Sequence, residues 1–431
     1  MTKITKLQAR WILDSRGNPT VECDLWAGDV FARAGVPSGA STGELEALEL
    51  RDGGSAFMGK HVMKAVTNIN ETISKKVVGM DVTAQRTLDD AMIALDGTDT
   101  KSNLGANAIL SVSMAAAKVA AKVQGKPLFQ YLYEISHGGK APEKYLLPVP
   151  GSNVLNGGKH AGTELAIQEF MIFPVGASSF PECLQMVVET YHVLKGILKK
   201  KYGNAAINVG DEGGFAPNLK TTKETLDIIE QAIDDAGYKG KIIMGLDPAA
   251  SEFFKDGTYH IDGTTKTAGE MVDFYVDLVK SYPLESIEDG FDEKDFDSFA
   301  ALTKKVPAGV NIITDDLTVT NVKLLQKAID MKAGNALLLK VNQIGSISEA
   351  IDAALLSFKN DFGVMVSHRS GETCDNTIAD LSVGLCSGLI KTGAPCRSDR
   401  NSKYNQLLRI HEELGDRASY PTSFASFKDF Q

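Results

Sequence analysis

Along the second half of the chain, short apolar runs recur, and each ends in a polar or charged residue. The runs are Ile242 to Asp247, Leu284 to Glu288, Asn311 to Asp315, Ala336 to Lys340, Gly363 to His368 and Gly388 to Lys391. Successive runs are far enough apart to hold one helix. Helical periodicity fills several of the gaps, at Gly269 to Lys280, Asn321 to Lys332 and Ile347 to Phe358. Strand, helix, strand at this spacing predicts parallel βα units. Six units with functional residues at the strand ends predict a βα barrel with its site on the C-terminal rim.

The region before these units is less regular. Gln168 to Phe173 reads as a strand and Phe180 to Lys200 as a long helix, so the barrel does not open with a simple βα repeat. Residues 4 to 36 read as an antiparallel meander, with Thr20 to Trp26 and Val30 to Val36 joined by a turn at Ala27-Gly28-Asp29. From Glu44 to Gln130 the pattern turns helical, punctuated near Gly79, Gly97 and Gly105. The polar, breaker-rich stretch from Gly138 to Lys144 separates an N-terminal α+β domain, 1–140, from a C-terminal α/β barrel domain, 141–431.

Bulk composition agrees with this division. A chain of 431 residues is long for one core. Its 43% apolar and 23% charged residues fit a soluble globular protein. A net charge of −10 argues against nucleic acid or an anionic membrane as partner, so an anionic ligand needs a local basic pocket. Lysines interrupt the first ten residues before any apolar core of a signal peptide forms. Ser102 to Ala117 reads as too short and too polar to span a bilayer. The five cysteines contain no C-x-x-C pair, which suits reduced thiols and a cytoplasmic location.

The strand ends carry the candidate chemistry. Asp247, Glu288 and Asp315 close successive runs, and three carboxylates converging on one rim suit an octahedral oxygen site for magnesium. Each also has a plainer reading. Asp247 before Pro248 fits a helix N-cap, Glu288-Asp289-Gly290 a turn, and Asp315-Asp316 a solvated loop. Lys340 follows a buried run and either snorkels to solvent or, facing a metal, has its pKa lowered from ~10.4 towards ~7–8 as a base. Lys391 adds positive charge two strands away. His368-Arg369-Ser370 offers an imidazole, a phosphate-matching guanidinium and a hydroxyl. Glu169, beside Gln168, and Glu212, in G-D-E-G-G, form a pair that would share a proton if close. His160 lies in another glycine-flexed loop.

Nine segments, in order, resemble the enolase family. They are S-G-A-S-T-G (38–43), N-G-G-K-H-A-G (156–162), Q-E-F-M-I (168–172), G-D-E-G-G (210–214), S-I-E-D (286–289), D-D-L-T-V-T (315–320), L-L-L-K-V-N-Q-I-G (337–345), S-H-R-S-G-E-T (367–373) and I-K-T-G-A-P (390–395). The resemblance covers nearly the whole chain. It implies an irregular eight-stranded, TIM-like βα barrel that opens as ββαα and is capped by an N-terminal α+β domain. It implies dehydration of 2-phosphoglycerate to phosphoenolpyruvate, with two magnesium ions per site, the second arriving with substrate.

By the same resemblance, Lys340 is the base and Glu212 the acid. Asp247, Glu288 and Asp315 hold the first magnesium, and Ser41 reaches the second. Arg369 and Ser370 bind phosphate, Lys391 pairs with the substrate carboxylate, and His160, Gln168, Glu169 and His368 line the site. A homodimer or octamer is implied as the assembly. Small departures lie at Gly290, where the family usually has proline, and in C-R-S-D-R-N-S (396–402) and His411. A racemase or cycloisomerase with similar metal ligands, or a catalytically silent relative serving as a structural or binding protein, are the alternatives. The first needs neither Glu212 as a leaving-group acid nor the 38–43 loop, and the second predicts a broken constellation, whereas none is broken.

Gly39 and Gly43 bracket a run of small residues of hinge-like composition. Ser41→Ala should therefore lower turnover and weaken only the substrate-dependent magnesium. Magnesium titrations with and without a substrate analogue check this, and equal losses in both would refute it.

Overall fold

The structure is a computed structural model that describes residues 2–40 and 43–421, with the backbone alone at 159 and 160. Ser41 lies outside the described residues, as does the side chain of His160.

Strands Ile4–Leu13, Pro19–Ala27 and Val30–Gly35 form an antiparallel meander, and Gly28 at φ 60° makes the tight turn between the last two. Helix Ala106–Val123 packs across this sheet, with Val112, Ala116 and Val119 in the same core as Val21, Leu25 and Ala34. This helix runs past Lys118, where the weakly polar stretch Ser102 to Ala117 ends. At 18 residues and mean hydropathy 1.2 it is long and apolar enough to cross a membrane. It is a core helix instead: 83% of it is buried within the protein, and Lys118 reaches out to Asp375 at 2.6 Å.

The expected helical reading from Glu44 is corrected. Residues 44–62 contain only a short 3₁₀ turn, and the first helix starts at Met63. Their backbone bonds go elsewhere: Ala47 N–H donates to Gln343 O and Leu48 N–H to Thr100 O, both at 2.8 Å. Gly53, Gly54 and Gly59 adopt positive φ and break any helix there. The segment is a strap laid over the barrel.

The barrel is closed, with eight strands. Val149–Asn156 pairs antiparallel with Glu169–Phe173, which pairs antiparallel with Ile243–Asp247. From Ile243–Asp247 onward all neighbours are parallel: Leu284–Glu288, Asn311–Thr314, Ala336–Leu339, Gly363–Ser367 and Gly388–Lys391, which closes on Val149–Asn156. Helices Phe180–Tyr202 and Thr222–Asp235 stand together between the second and third strands. The order is therefore ββαα and then βα repeats. Helices Ala268–Ser281, Val322–Met331 and Ile347–Lys359 lie within a residue of the sequence-predicted ranges. Val149, Met171, Phe173, Ile313, Leu338 and Met365 fill the barrel interior below the rim.

That interior is tightly packed at Gly245. A Cβ there would lie 2.5 Å from the Phe173 ring and 3.1 Å from Ser286 Cβ, inside the closed sheet. Gly245→Ala is expected to destabilise the barrel by about 1–3 kcal/mol. A lower denaturant midpoint at unchanged slope is the measurement, and an unchanged midpoint would contradict it.

Candidate active site

Strand direction decides which residues reach the rim. Glu169 begins its strand, yet that strand runs antiparallel, so its start lies level with its neighbours' ends: Glu169 is registered with Asp247 on one side and Asn156 on the other. Asp247, Glu288 and Lys391 close their strands, and Asp315, Lys340 and His368 follow theirs by one residue. One cavity is lined by Gln168, Glu169, Glu212, Asp247, Asp315, Lys340, His368, Arg369, Ser370 and Lys391, together with Asp289 and Asp316. Glu288 is buried beneath them against Lys391.

Lys391 is the hub. Its Nζ lies 2.7 Å from Asp247 Oδ2, 2.8 Å from Glu288 Oε1 and 3.2 Å from Glu169 Oε2. Burial disfavours its charge, but the surrounding carboxylates outweigh that and hold it well above the ordinary lysine range. Glu169 and Glu288 are pushed well above the ordinary carboxyl range, chiefly by burial and then by neighbouring acids, Glu212 beside Glu169 and Asp247 beside Glu288.

Lys340 Nζ pairs with Asp315 Oδ2, and its peptide N–H donates to Thr320 Oγ1 at 2.9 Å. Among the protein's own groups, burial works to lower its pKa, but Asp315 and Asp316 prevail and raise it above the usual 10.5; the expected lowering belongs to the site facing a metal. Asp315 in turn is held below its usual value: burial works against its charge, and Lys340 overcomes that. Gln343 Nε2 donates to the other oxygen of Asp315 at 2.8 Å.

Among the described residues, a close acidic cluster lies beside the expected set. Asp289, Asp315 and Asp316 place one carboxylate oxygen each within 4.8 Å of the others. Asp289, at φ 42°, accepts the peptide N–H of Asp315 and of Asp316 at 2.8 Å each. It latches the loop that presents Asp315. Burial followed by Asp315 raises Asp316 to about 8.

In the same cavity, Glu212 Oε2 accepts from Asn153 Nδ2 at 3.0 Å and faces His368 Nε2 at 3.2 Å. Burial pushes His368 down to about 3, against the pull of Glu212, so the imidazole is neutral. Arg369, expected to be open to phosphate, is gripped by the strap: NH1 and NH2 donate to the two oxygens of Glu46 at 3.1 and 3.0 Å, and NH1 also reaches Asn342 Oδ1 at 3.1 Å. Ser370 Oγ accepts from Arg16 NH1 at 3.2 Å. Gln168 Oε1 is buried without a hydrogen-bond partner among the described residues.

Sequence reasoning missed Glu46, Asn153, Asp289, Asp316, Gln343 and Arg400. A signal existed for three of them. Asn153 is a polar residue in a strand that must be buried, and Asp289 and Asp316 each sit next to a singled-out acid. Glu46 was absorbed into the false helix. The Glu46–Arg369 pair is almost fully buried, with side chains 9% and 3% exposed. Glu46→Ala strands the Arg369 charge and should cost about 3 kcal/mol, read as a lower melting temperature. A loss no larger than that of an exposed ion pair would contradict it.

Comparison with known proteins agrees with this geometry. Residues 4–132 match the family model described as the enolase N-terminal domain, and 144–428 match that of the enolase C-terminal TIM barrel domain. The enolase of Methanothrix thermoacetophila is 59% identical over 418 residues, 97% of this chain and 98% of the relative. That of Thermococcus kodakarensis is 57% identical, covering 97% of each chain, and that of Methanocaldococcus jannaschii 56%, covering 96% of each. A closed βα barrel carrying this rim, and relatives this similar along nearly the full length, mean that the chain belongs to the enolase family of lyases.

Proposed function

We propose that Lys340 and Glu212 divide the proton chemistry of the enolase reaction in this chain, the reversible dehydration of 2-phospho-D-glycerate to phosphoenolpyruvate and water in glycolysis and gluconeogenesis. The observation that carries this reading is that two separate polar systems line one cavity. Lys340 is tied to Asp315, while Glu212 is tied to Asn153 and faces His368. A base and an acid in one cavity can serve the two ends of a three-carbon substrate. Lys340 takes the C2 proton, and Glu212 protonates the leaving C3 hydroxyl. Glu169, raised by burial and by Glu212, is the carboxyl with which Glu212 shares its proton.

The remaining roles follow the charges. Arg369 and Ser370 take the phosphate and Lys391 the substrate carboxylate, while Gln168, Glu169, His160 and His368 line the space between. We assign the first magnesium to Asp247, Glu288 and Asp315, and the second, which comes with substrate, to Ser41. The donor set fits a hard divalent cation, because Glu288 Oε2 is buried with no hydrogen-bond partner among the described residues. Asp289 is the poorer ligand, since both its oxygens already accept peptide N–H groups. Bound magnesium supplies positive charge for the second negative charge that develops on the substrate carboxylate. A ligand role for Asp315 also loosens its hold on Lys340, and so lets that amine act as a base.

Residues 1–140 then serve as the cap, and 141–431 carry the chemistry. A second copy of the chain is the partner we assign to the face around Trp11 and Leu13, which are 41% and 54% exposed and, in the case of Leu13, flank a cleft of about 510 Å³. The assembly is then a homodimer or a larger array of dimers. A cytoplasmic site suits five free cysteines, three of them buried.

Lys340→Ala should abolish both turnover and exchange of the C2 proton with solvent. Glu212→Gln should lose dehydration while some C2 exchange survives, because Lys340 remains in place. Phosphoenolpyruvate absorbance and deuterium exchange at C2 report the two steps separately. Surviving exchange in a folded Lys340→Ala protein refutes the base. Near-normal dehydration in Glu212→Gln refutes the acid.

A further inference from the structure

Ser370 lines the cavity, and the side chain that hydrogen-bonds its hydroxyl comes from the N-terminal domain. Arg16 NH1 donates to Ser370 Oγ at 3.2 Å, while NH2 donates to Gly39 O at 2.9 Å and Ser38 O at 3.2 Å. Its ion pair with Asp14 is loose, 3.9 Å from NH2 to Oδ2. The turn that carries Arg16 is firmly docked. Asp14 Oδ1 accepts the peptide N–H of Arg16 at 2.9 Å and of Asn18 at 2.8 Å, and Gly17 takes φ 75° within the turn. Ser15 N–H donates to Glu372 O at 2.7 Å, and Glu372 N–H donates to Ser15 Oγ at 3.0 Å. Gly371 leaves room for the guanidinium, since a Cβ there would lie 2.6 Å from Arg16 NH2.

A guanidinium has donors and no acceptor, so Ser370 Oγ meets Arg16 only as an acceptor. The hydroxyl keeps its own hydrogen for another partner, and no oxygen among the described residues takes it. Ser370 lines the cavity beside Arg369, where that hydrogen is within reach of a bound anion. A phosphate ester dianion offers acceptors and no donors. A hydroxyl with a charged donor behind it is polarised and gives such an acceptor a stronger hydrogen bond. The two arginines differ in what they bring. Arg369 enters the site with Glu46 as a close counter-ion, 3.0 Å away, whereas the charge of Arg16 has only the distant Asp14 carboxylate.

We propose that Arg16 is a positioning residue for the substrate's phosphate: it fixes Ser370 Oγ as an acceptor on its own side, which leaves the Ser370 hydroxyl to donate to a phosphate oxygen. The proposal rests on Ser370 taking the phosphate, and the test separates the two.

The phosphate stays on the substrate throughout the reaction, and loss of a contact held equally in ground and transition state raises KM at constant kcat. Arg16→Met and Ser370→Ala should each raise KM for 2-phosphoglycerate, and the inhibition constant of inorganic phosphate, about tenfold, with kcat within about threefold. The double variant should lose no more than about threefold beyond the weaker single one, because the same contact is removed twice. Arg16→Lys keeps a charged donor and should bind inorganic phosphate more tightly than Arg16→Met. Losses that multiply to about a hundredfold in the double variant show Arg16 acting apart from Ser370, and they overturn the proposal alone. So does an unchanged KM in Arg16→Met, or a kcat that falls at constant KM, the mark of a general structural role. An unchanged KM in Ser370→Ala overturns the phosphate assignment of Ser370, and the proposal with it. Neutron diffraction on the unaltered, deuterated protein reads the hydroxyl without any variant having to fold. An O–D bond directed into the cavity is expected, and one directed at a protein acceptor overturns the proposal.

Discussion

Lys391 places its ammonium 2.7 Å from Asp247 and 2.8 Å from Glu288, with Glu169 at 3.2 Å, at a buried strand end. A buried carboxylate is costly unless paired, and three facing each other inside a barrel would not stay ionised together. One lysine compensates them jointly. Removing it would leave acids whose proton affinity burial has already raised. The rim is thus poised: the carboxylates outnumber the cations, and their ionisation depends on what positive charge sits among them.

Two further pairs complete the arrangement, and each ties a mobile charge to a structural partner. Lys340 is held by Asp315, itself presented by a loop that Asp289 pins through two peptide N–H groups. Arg369 is held by Glu46, brought in by the strap from the N-terminal domain. In each case the residue to which substrate is assigned in the proposed function already has an internal counter-ion. On that proposal an anionic substrate and divalent cations would exchange partners in the site instead of creating charges there, which would keep the desolvation cost of a buried site low.

Much of the barrel was readable because its signal is local. An apolar run ending in a polar residue, followed by a 3.6-period helix, needs no distant contact to be recognised, and the strands from Ile243 to Lys391 and their helices appear where that pattern puts them. The segment 44–62 misled for the converse reason. Its Ala47 and Leu48 N–H groups are satisfied by Gln343 O and Thr100 O, residues remote in sequence, and only the glycines at 53, 54 and 59 mark the break locally. In the helix from Ala106, Lys118 interrupts an apolar run, and Asp375 and Arg33 O show why a lysine is tolerated there.

By itself the sequence determined the residue types at the strand ends, the alternation of strand and helix, and the order of motifs that marks the family. Tertiary structure decided their pairing. Antiparallel insertion of Glu169–Phe173 turned a strand's beginning into part of the rim. Closure of the sheet brought Lys391 to acids more than a hundred residues away, and the pairing with Asp315 holds the Lys340 pKa up among the protein's own charges. The buried helix delivered Arg400 to His368. The reason is physical. Residue identity and period are written along the chain, whereas the charge state of a buried group depends on which distant charges the fold places within a few ångströms of it.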